Sequence, residues 1–379
     1  MKKIICIALC VVMILGVVAV GTSCAPAAPA APAATDAPAA TEAPAADAST
    51  AAPAADAPKE IPEGLVIGKI PITLANGYHQ ADVDWFTQLA KEQYGAEVKV
   101  LDGKFEQPTI VSNLDQLIAE GVDMIVLHSY EAESVVPGID AARAAGIPII
   151  TFYLETPNNV PFVAINEAES AFQMGKVSAE KWIEFHPDKP IVYSVVDYID
   201  NPTVQEMRTG PFIEGIKSVA PDAKEGMIVD GGGTRDTGYK VAQDIIQACP
   251  ETNIFYGAAS DYSLAIWPAL QEAGRGKAVD GVPETEILVG TDATEAELML
   301  IYDPSSSFKV TMGLTPMENA QTKLDTIMKA YTGEINPDEK LTVECTDKEI
   351  DYWTMPVDEA QKWLTDEYKS TADLTKAGK

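Results

Sequence analysis

The stretch DMIVLHSYEAESVVPGIDAARAAGIPIITFYL, residues 123–154, holds two short apolar runs separated by a longer mixed segment. Met124–Leu127 is continuously apolar, and Ile147–Phe152 nearly so. A strand with one wet face would alternate apolar and polar residues. A strand without alternation is covered on both faces, as in a parallel sheet packed between helices. The intervening segment is long enough for the crossover helix that parallel neighbours require. This stretch therefore reads as strand, helix, strand.

The same pattern repeats outward in both directions. LVIGKIPIT (65–73), EVKVLD (97–102) and FVAIN (162–166) join the two runs above. PIVYSVVDY (190–198), GMIVDGG (226–232), IFYGAAS (254–260), EILVGTD (286–292) and FKVTMGL (308–314) follow. Helical periodicity lies between them. In ADVDWFTQLAKEQYG (81–95), for example, Val83, Phe86, Leu89 and Ala90 share a face. Ten such strands overfill a single sheet in a chain of 379 residues. Two doubly wound parallel-sheet lobes of about 120 residues each accommodate them.

Polar and aromatic residues collect where the strands end. Asn76, Tyr78 and His79 follow the first, His128 and Ser129 the third, and Tyr153 and Glu155 the fourth. Asp197, Tyr198, Asp200 and Asn201 follow the sixth, GGGTRD the seventh, Ser260 and Asp261 the eighth. The ninth ends in ILVGTDAT (287–294), where an apolar run breaks at Gly290 and delivers Asp292. Asp292 or Thr291 could cap the following helix. The alternative is a ligand contact, because open α/β sheets bind ligands beyond the carboxyl ends of their strands. Such residues from both halves of the chain point to a cleft between two lobes.

Composition narrows the function. With 27 Lys and Arg against 57 Asp and Glu, the formal net charge is −30, which excludes the basic stripes of nucleic-acid binding. The N-terminus has Lys2 and Lys3, an apolar run from Ile4 to Val20, then GTSC ending at Cys24. This is an export signal rather than fold material, with a retained anchor helix as the alternative. Residues 25–60 are dominated by Ala, Pro, Thr and Asp. They lack apolar material to bury and read as a tether of ~100 Å reach when extended. Of five cysteines, only Cys249 and Cys345 fall in folded regions, and their spacing does not demand a disulfide.

Catalytic and cofactor motifs fail on inspection. DGGGTRDTG (230–238) lacks the lysine and spacing of a phosphate loop. SSFK (306–309) and SAEK (178–181) match S-x-x-K without its companion motifs. His79, His128 and His186 have no metal-ligand spacing. No metal or cofactor is expected, and an enzyme is not. Arg208, in VQEMRTGPFIEGI (204–216), has two readings. It is a surface salt-bridge partner, or a fork of donors aimed into the cleft at hydroxyl or carboxylate oxygens.

Several stretches together resemble the ribose/galactose class of type I periplasmic substrate-binding proteins, the sugar receptors of ABC importers. QLIAEGVDMIVLHSYEAESVVPGIDAARAAGIPIIT (116–151) is similar to the second-to-fourth-strand region of that family. MRTGPF (207–212) is similar to its R-x-x-G-F helix, and ALQEAG (269–274) with ILVGTDAT to its closing elements. The resemblance runs from about Leu65 to Leu341. GTSC with its polar tail likewise resembles a bacterial lipoprotein cleavage site, which implies lipidation at Cys24.

The resemblance implies two α/β lobes joined by a three-crossing hinge that closes on a ligand. Residues 1–23 would be the signal peptide and 24–60 the tether. Residues 61–166 plus 315–341 would form one lobe, and 167–314 plus 342–379 the other. It carries Asn76, Tyr78, His79, Arg208 and Asp292 over as ligand contacts, with His128, Tyr153, Ser260 and Asp261 as strand-end companions. This chain departs from the family at Tyr153–Leu154, where Asp-Arg is usual, and at Ser260, where Asn is usual. The family's Gln near Leu314 and its aromatic near Gly233 are missing. The implied partners are a sugar or polyol and an ABC permease, at the outer face of the membrane, with the protein a monomer. A ligand-presenting sensory lipoprotein is the alternative, and a surface hydrolase a weaker one.

Overall fold

A computed structural model describes residues 60–379. The signal, Cys24 and the tether lie outside the described residues. The strands are β1 (Val66–Ile70), β2 (Glu97–Val100), β3 (Met124–His128), β4 (Ile149–Phe152), β5 (Phe162–Ile165), β6 (Val192–Asp197) and β7 (Lys224–Asp230). They continue with β8 (Ile254–Gly257), β9 (Ala278–Val279), β10 (Val282–Pro283), β11 (Ile287–Asp292), β12 (Phe308–Leu314), β13 (Thr342–Cys345) and β14 (Asp347–Asp351).

Two six-stranded sheets result, one per lobe, in the orders β13-β5-β4-β3-β1-β2 and β14-β12-β11-β8-β6-β7. Every neighbouring pair is parallel except β12 with β14. The strands of the opening stretch sit mid-sheet, with β3 between β1 and β4. All residues of β3 and β4 are buried, as their unbroken apolar character requires. Each fully buried Leu, Ile or Val contributes ~1.5–3 kcal/mol. β9 and β10 form a separate two-stranded hairpin.

Helices cover the sheets with the faces that periodicity assigns. Helix Gly77–Tyr94 buries Tyr78, Val83, Phe86 and Ala90 and packs beside helix Pro316–Thr332 on the first sheet. In the second lobe, helix Ala168–Phe185 crosses helix Gly210–Val219 closely. A Cβ at Gly175 would lie 2.0 Å from the Phe212 carbonyl oxygen, so only glycine permits that approach.

The chain passes between sheets three times: after β5, after β12, and between β13 and β14. The expected boundary at residue 341/342 needs correction. β13 pairs with β5 in the first sheet, so the chain stays with that lobe through Cys345. β13 and β14 are edge strands of mostly polar residues, with one residue of β13 and two of β14 buried. Their one covered side needs no apolar run, which is why pattern reading passed over both.

Candidate ligand-binding cleft

Residues beyond the carboxyl ends of strands from both sheets line one cavity of about 480 Å³. The first lobe contributes rings. The N-cap Asn76 starts helix Gly77–Tyr94, its Oδ1 accepting the Tyr78 backbone N–H at 2.8 Å. This places His79 third in the helix, edge-on to His128 at 5.2 Å between ring centroids. His128 meets Phe152 at 5.0 Å and Tyr153 at 6.0 Å. Phe105 stacks on Tyr130 at 5.1 Å and reaches across to Tyr198 of the second lobe at 5.8 Å.

These imidazoles are neutral near pH 7. Burial pulls His79 down to about 4 against the opposing pull of Asp292 and Asp82. Burial holds His128 well below the ordinary histidine range, helped by His79 and Lys323. Behind the ring wall lies a buried ion cluster. Asp82 meets Lys69 at 2.8 Å and Lys323 at 2.5 Å. The Lys323 ammonium also sits 3.6 Å from the Phe152 ring centroid, a cation–π contact out of water. Burial lowers Lys323 to about 8, with Asp82 opposing.

The second lobe contributes charge. Asp292 ends β11 with φ +94°, a strained backbone for a non-glycine residue and a feature that clusters at functional sites. Its Oδ2 accepts from the Ser260 hydroxyl at 2.6 Å and the Ser260 N–H at 3.2 Å. The same oxygen accepts from the Asn76 amide across the cleft at 3.2 Å. The Tyr368 hydroxyl donates to the Asp292 carbonyl at 2.7 Å. Asp261 faces Arg235 at 3.4 Å; burial raises its carboxyl, with Arg235 opposing.

Arg208 sits in a π-helical turn, Gln205–Thr209, of the kind often found at functional sites. Its Nε and Nη2 donate to the two oxygens of Glu167, both at 2.6 Å, and its Nη1 donates to the Ala258 carbonyl at 2.7 Å. The Tyr153 hydroxyl donates to Glu167 at 2.8 Å, and the guanidinium lies 5.4 Å from the Tyr153 ring centroid. Burial opposes the charge on Arg208, but Glu167 more than restores it.

Residues 67–334 match the profile of the periplasmic binding protein domain family. The chain belongs to that family. Solved structures agree on the fold of this periplasmic binding protein. A Mycobacterium smegmatis protein in complex with β-D-fucofuranose is 21% identical, with a TM-score of 0.66, covering 83% of this chain and 97% of that one. A galactofuranose-binding protein is 20% identical at TM-score 0.66, covering 80% and 99%. The arabinose transporter component from Shewanella sp. ANA-3, bound to L-arabinofuranose, is 17% identical at TM-score 0.65, covering 80% and 96%. No curated protein sequence matches the chain.

Of the residues singled out in sequence, the periplasmic binding protein brings Asn76, Tyr78, His79, His128, Tyr153, Arg208, Asp261 and Asp292 onto the cavity lining. Three need qualification. Ser260 is not on the lining; its hydroxyl is committed to Asp292 and positions that carboxylate. Tyr78 shows the cavity only its ring, because its hydroxyl turns away to accept from Asn319 at 2.8 Å. Arg208 is neither a surface salt bridge nor a free fork: its partner Glu167 is fully buried. Glu155 pairs with Lys340 at 2.6 Å, away from the cavity lining.

Sequence reasoning passed over Glu167, Phe105 and Tyr130, and flagged Arg235 only within GGGTRD. Phe105 explains the missing aromatic near Gly233. A Cβ at Gly233 would lie 2.7 Å from the Phe105 ring, so the first lobe supplies that ring and glycine leaves room for it. The signal for Phe105 was an aromatic in the turn LDGKFEQP (101–108), where a loop spends a large apolar residue on something other than its own strand.

Proposed function

We propose that this protein is an extracytoplasmic sugar receptor that delivers a carbohydrate or sugar-like polyol to an ABC importer. The observation that carries the reading is Asp292 held opposite a wall of neutral rings. A carboxylate fixed by Ser260 accepts hydroxyl hydrogens, while aromatic faces cover the C–H side of a sugar ring. Charge-assisted hydrogen bonds contribute ~1.5–3 kcal/mol each. Two of these with stacking and a few neutral partners reach the ~8 kcal/mol of micromolar binding. The sugars named for the similar structures support the same ligand class. The three crossings serve as a hinge, and closing it lets Asn76 and Phe105 of one lobe meet Asp292 and Tyr198 of the other. Lipidation at Cys24 and the Ala/Pro-rich tether would hold this monomeric receptor at the outer membrane face, within reach of its permease.

The test is thermal unfolding of the protein, stripped of copurified ligand by refolding, against pentoses, hexoses, inositols, nucleosides and amino acids. A ligand that binds only the folded state stabilises it by ~2.7 kcal/mol at a hundredfold excess over Kd. A shift with one sugar or polyol is expected. A shift with amino acids or nucleosides alone would sink the carbohydrate assignment.

A further inference from the structure

Glu167 is the one acid of the cleft region that is fully buried and spent on an arginine. It follows β5, on the first passage between the lobes. It gathers Tyr153 from the first lobe and Arg208 from the second around one carboxylate. A guanidinium has five N–H donors. Glu167 takes two of those on Arg208 and the Ala258 carbonyl a third. The remaining two belong to a side chain that lines the cavity. They present hydrogen-bond donors, but the positive charge behind them is already neutralised.

We propose that Glu167 sets the charge class of the ligand, making the cleft select an uncharged sugar over the uronic acid of the same ring. This rests on the sugar-receptor reading above. A ligand hydroxyl accepts from the two remaining N–H groups at no electrostatic cost. A ligand carboxylate at the same place would bring a second anion to a guanidinium that Glu167 already holds in a two-point fork. In a buried site that repulsion is weakly screened. The other wall charges are either held or wet. Asp292 accepts from Asn76 and Ser260, while Arg235 reaches Asp261 by one exposed contact at 3.4 Å, where solvent screens its charge. Lys104 and Asp236, the remaining charged lining residues, are exposed.

Calorimetric titration with matched pairs tests this: D-galactose with D-galacturonate, and D-glucose with D-glucuronate. The wild type should bind the neutral member of whichever pair it accepts at least about a hundredfold more tightly. Glu167→Gln keeps the shape but frees the Arg208 charge, and should lower that ratio at least about tenfold by gaining affinity for the uronate. Glu167→Asp keeps the charge but withdraws it by one methylene, and should give an intermediate ratio; it serves if the glutamine variant does not fold. Equal binding of both members by the wild type overturns the proposal. So does a variant whose affinity for the neutral sugar drops while the ratio stays unchanged. If no sugar or polyol of the thermal-unfolding panel binds the wild type, the receptor reading itself has failed; sugar binding without neutral preference sinks only the role of Glu167.

Discussion

The two walls of the cleft are built from different chemistry. The first lobe presents Tyr78, His79, Phe105, His128, Tyr130, Phe152 and Tyr153, with Lys104 as its only charged lining residue. The second presents Arg208, Arg235, Asp236, Asp261 and Asp292, with Tyr198 as its only ring. The first wall is a surface for a flat, C–H-rich face. The second is a set of fixed acceptors and donors for a hydroxyl edge. Neither wall alone satisfies a sugar, which has both. A ligand of that kind gains its full binding energy only when the lobes close on it, so closure is coupled to occupancy. The ion pairs reinforce the contrast. The cluster Lys69–Asp82–Lys323 lies behind the rings and out of the cavity, whereas the second lobe's charges line it.

The division of labour makes ordered predictions. The largest effect belongs to the charged wall. Asp292→Ala removes an acceptor of two charge-assisted hydrogen bonds, and should weaken sugar binding by ~3 kcal/mol or more, about a hundredfold. Phe105→Ala removes one stacking ring, worth ~0.5–1.5 kcal/mol, and should cost about tenfold or less. Calorimetry on both variants decides the point: a ring substitution that costs more than Asp292→Ala breaks the comparison.

A separate effect, read on stability rather than on binding, follows from keeping the ring wall uncharged. The ordinary histidine value is 6.5, and burial places His79 near 4 in the folded protein. Between those values the unfolded chain binds more protons than the folded one, so stability rises with pH there. It is fully present above pH 6.5 and is lost as the pH falls toward 4. Melting temperatures from pH 7.5 to 4.5 should show this slope, and His79→Phe should flatten part of it. A slope that persists undiminished in the variant would move its origin elsewhere.

A second pH effect concerns Glu297, which braces the turn behind Asp292. Its carboxylate accepts from the Ser263 hydroxyl at 2.7 Å and the Thr294 N–H at 2.9 Å. Burial, helped by Asp292, raises it from 4.5 to about 8. The sign is opposite to that of His79. Above pH 4.5 the unfolded chain has released a proton that the folded one keeps, so stability declines up to about pH 8. Glu297→Gln, permanently neutral, should melt higher relative to wild type at pH 8 than at pH 5. An unchanged difference between the two pH values would show that Glu297 is ionised in the fold.

The strands of the two sheets were readable because of how they are buried. All ten apolar runs identified in sequence form strands; the eight inside the sheets are the ones that coverage by helices on both faces makes apolar. β13 (TVEC) and β14 (DKEID) escaped because, unlike the edge strands β2 and β7, they carry no apolar run. The site was readable in part for a related reason. Parallel sheets place ligands at strand ends, so a polar residue just past an apolar run is already a candidate. That argument reaches Asn76, His128, Asp261 and Asp292.

What it could not reach depends on contacts far apart in the chain. Asn76 donates to Asp292 across a separation of 216 residues. Phe105 fills the space that Gly233 leaves. Glu167 looks like one more surface acid among 57 Asp and Glu, until the fold buries it against Arg208. The sequence by itself determined the lobes, their strands and the addresses of the cleft, because burial patterns and strand ends are local properties of the chain. Only the tertiary structure decided which side chains stay available to a ligand. That depends on which partners each charge and hydroxyl finds first, and those partners meet only when the two lobes are folded and brought together.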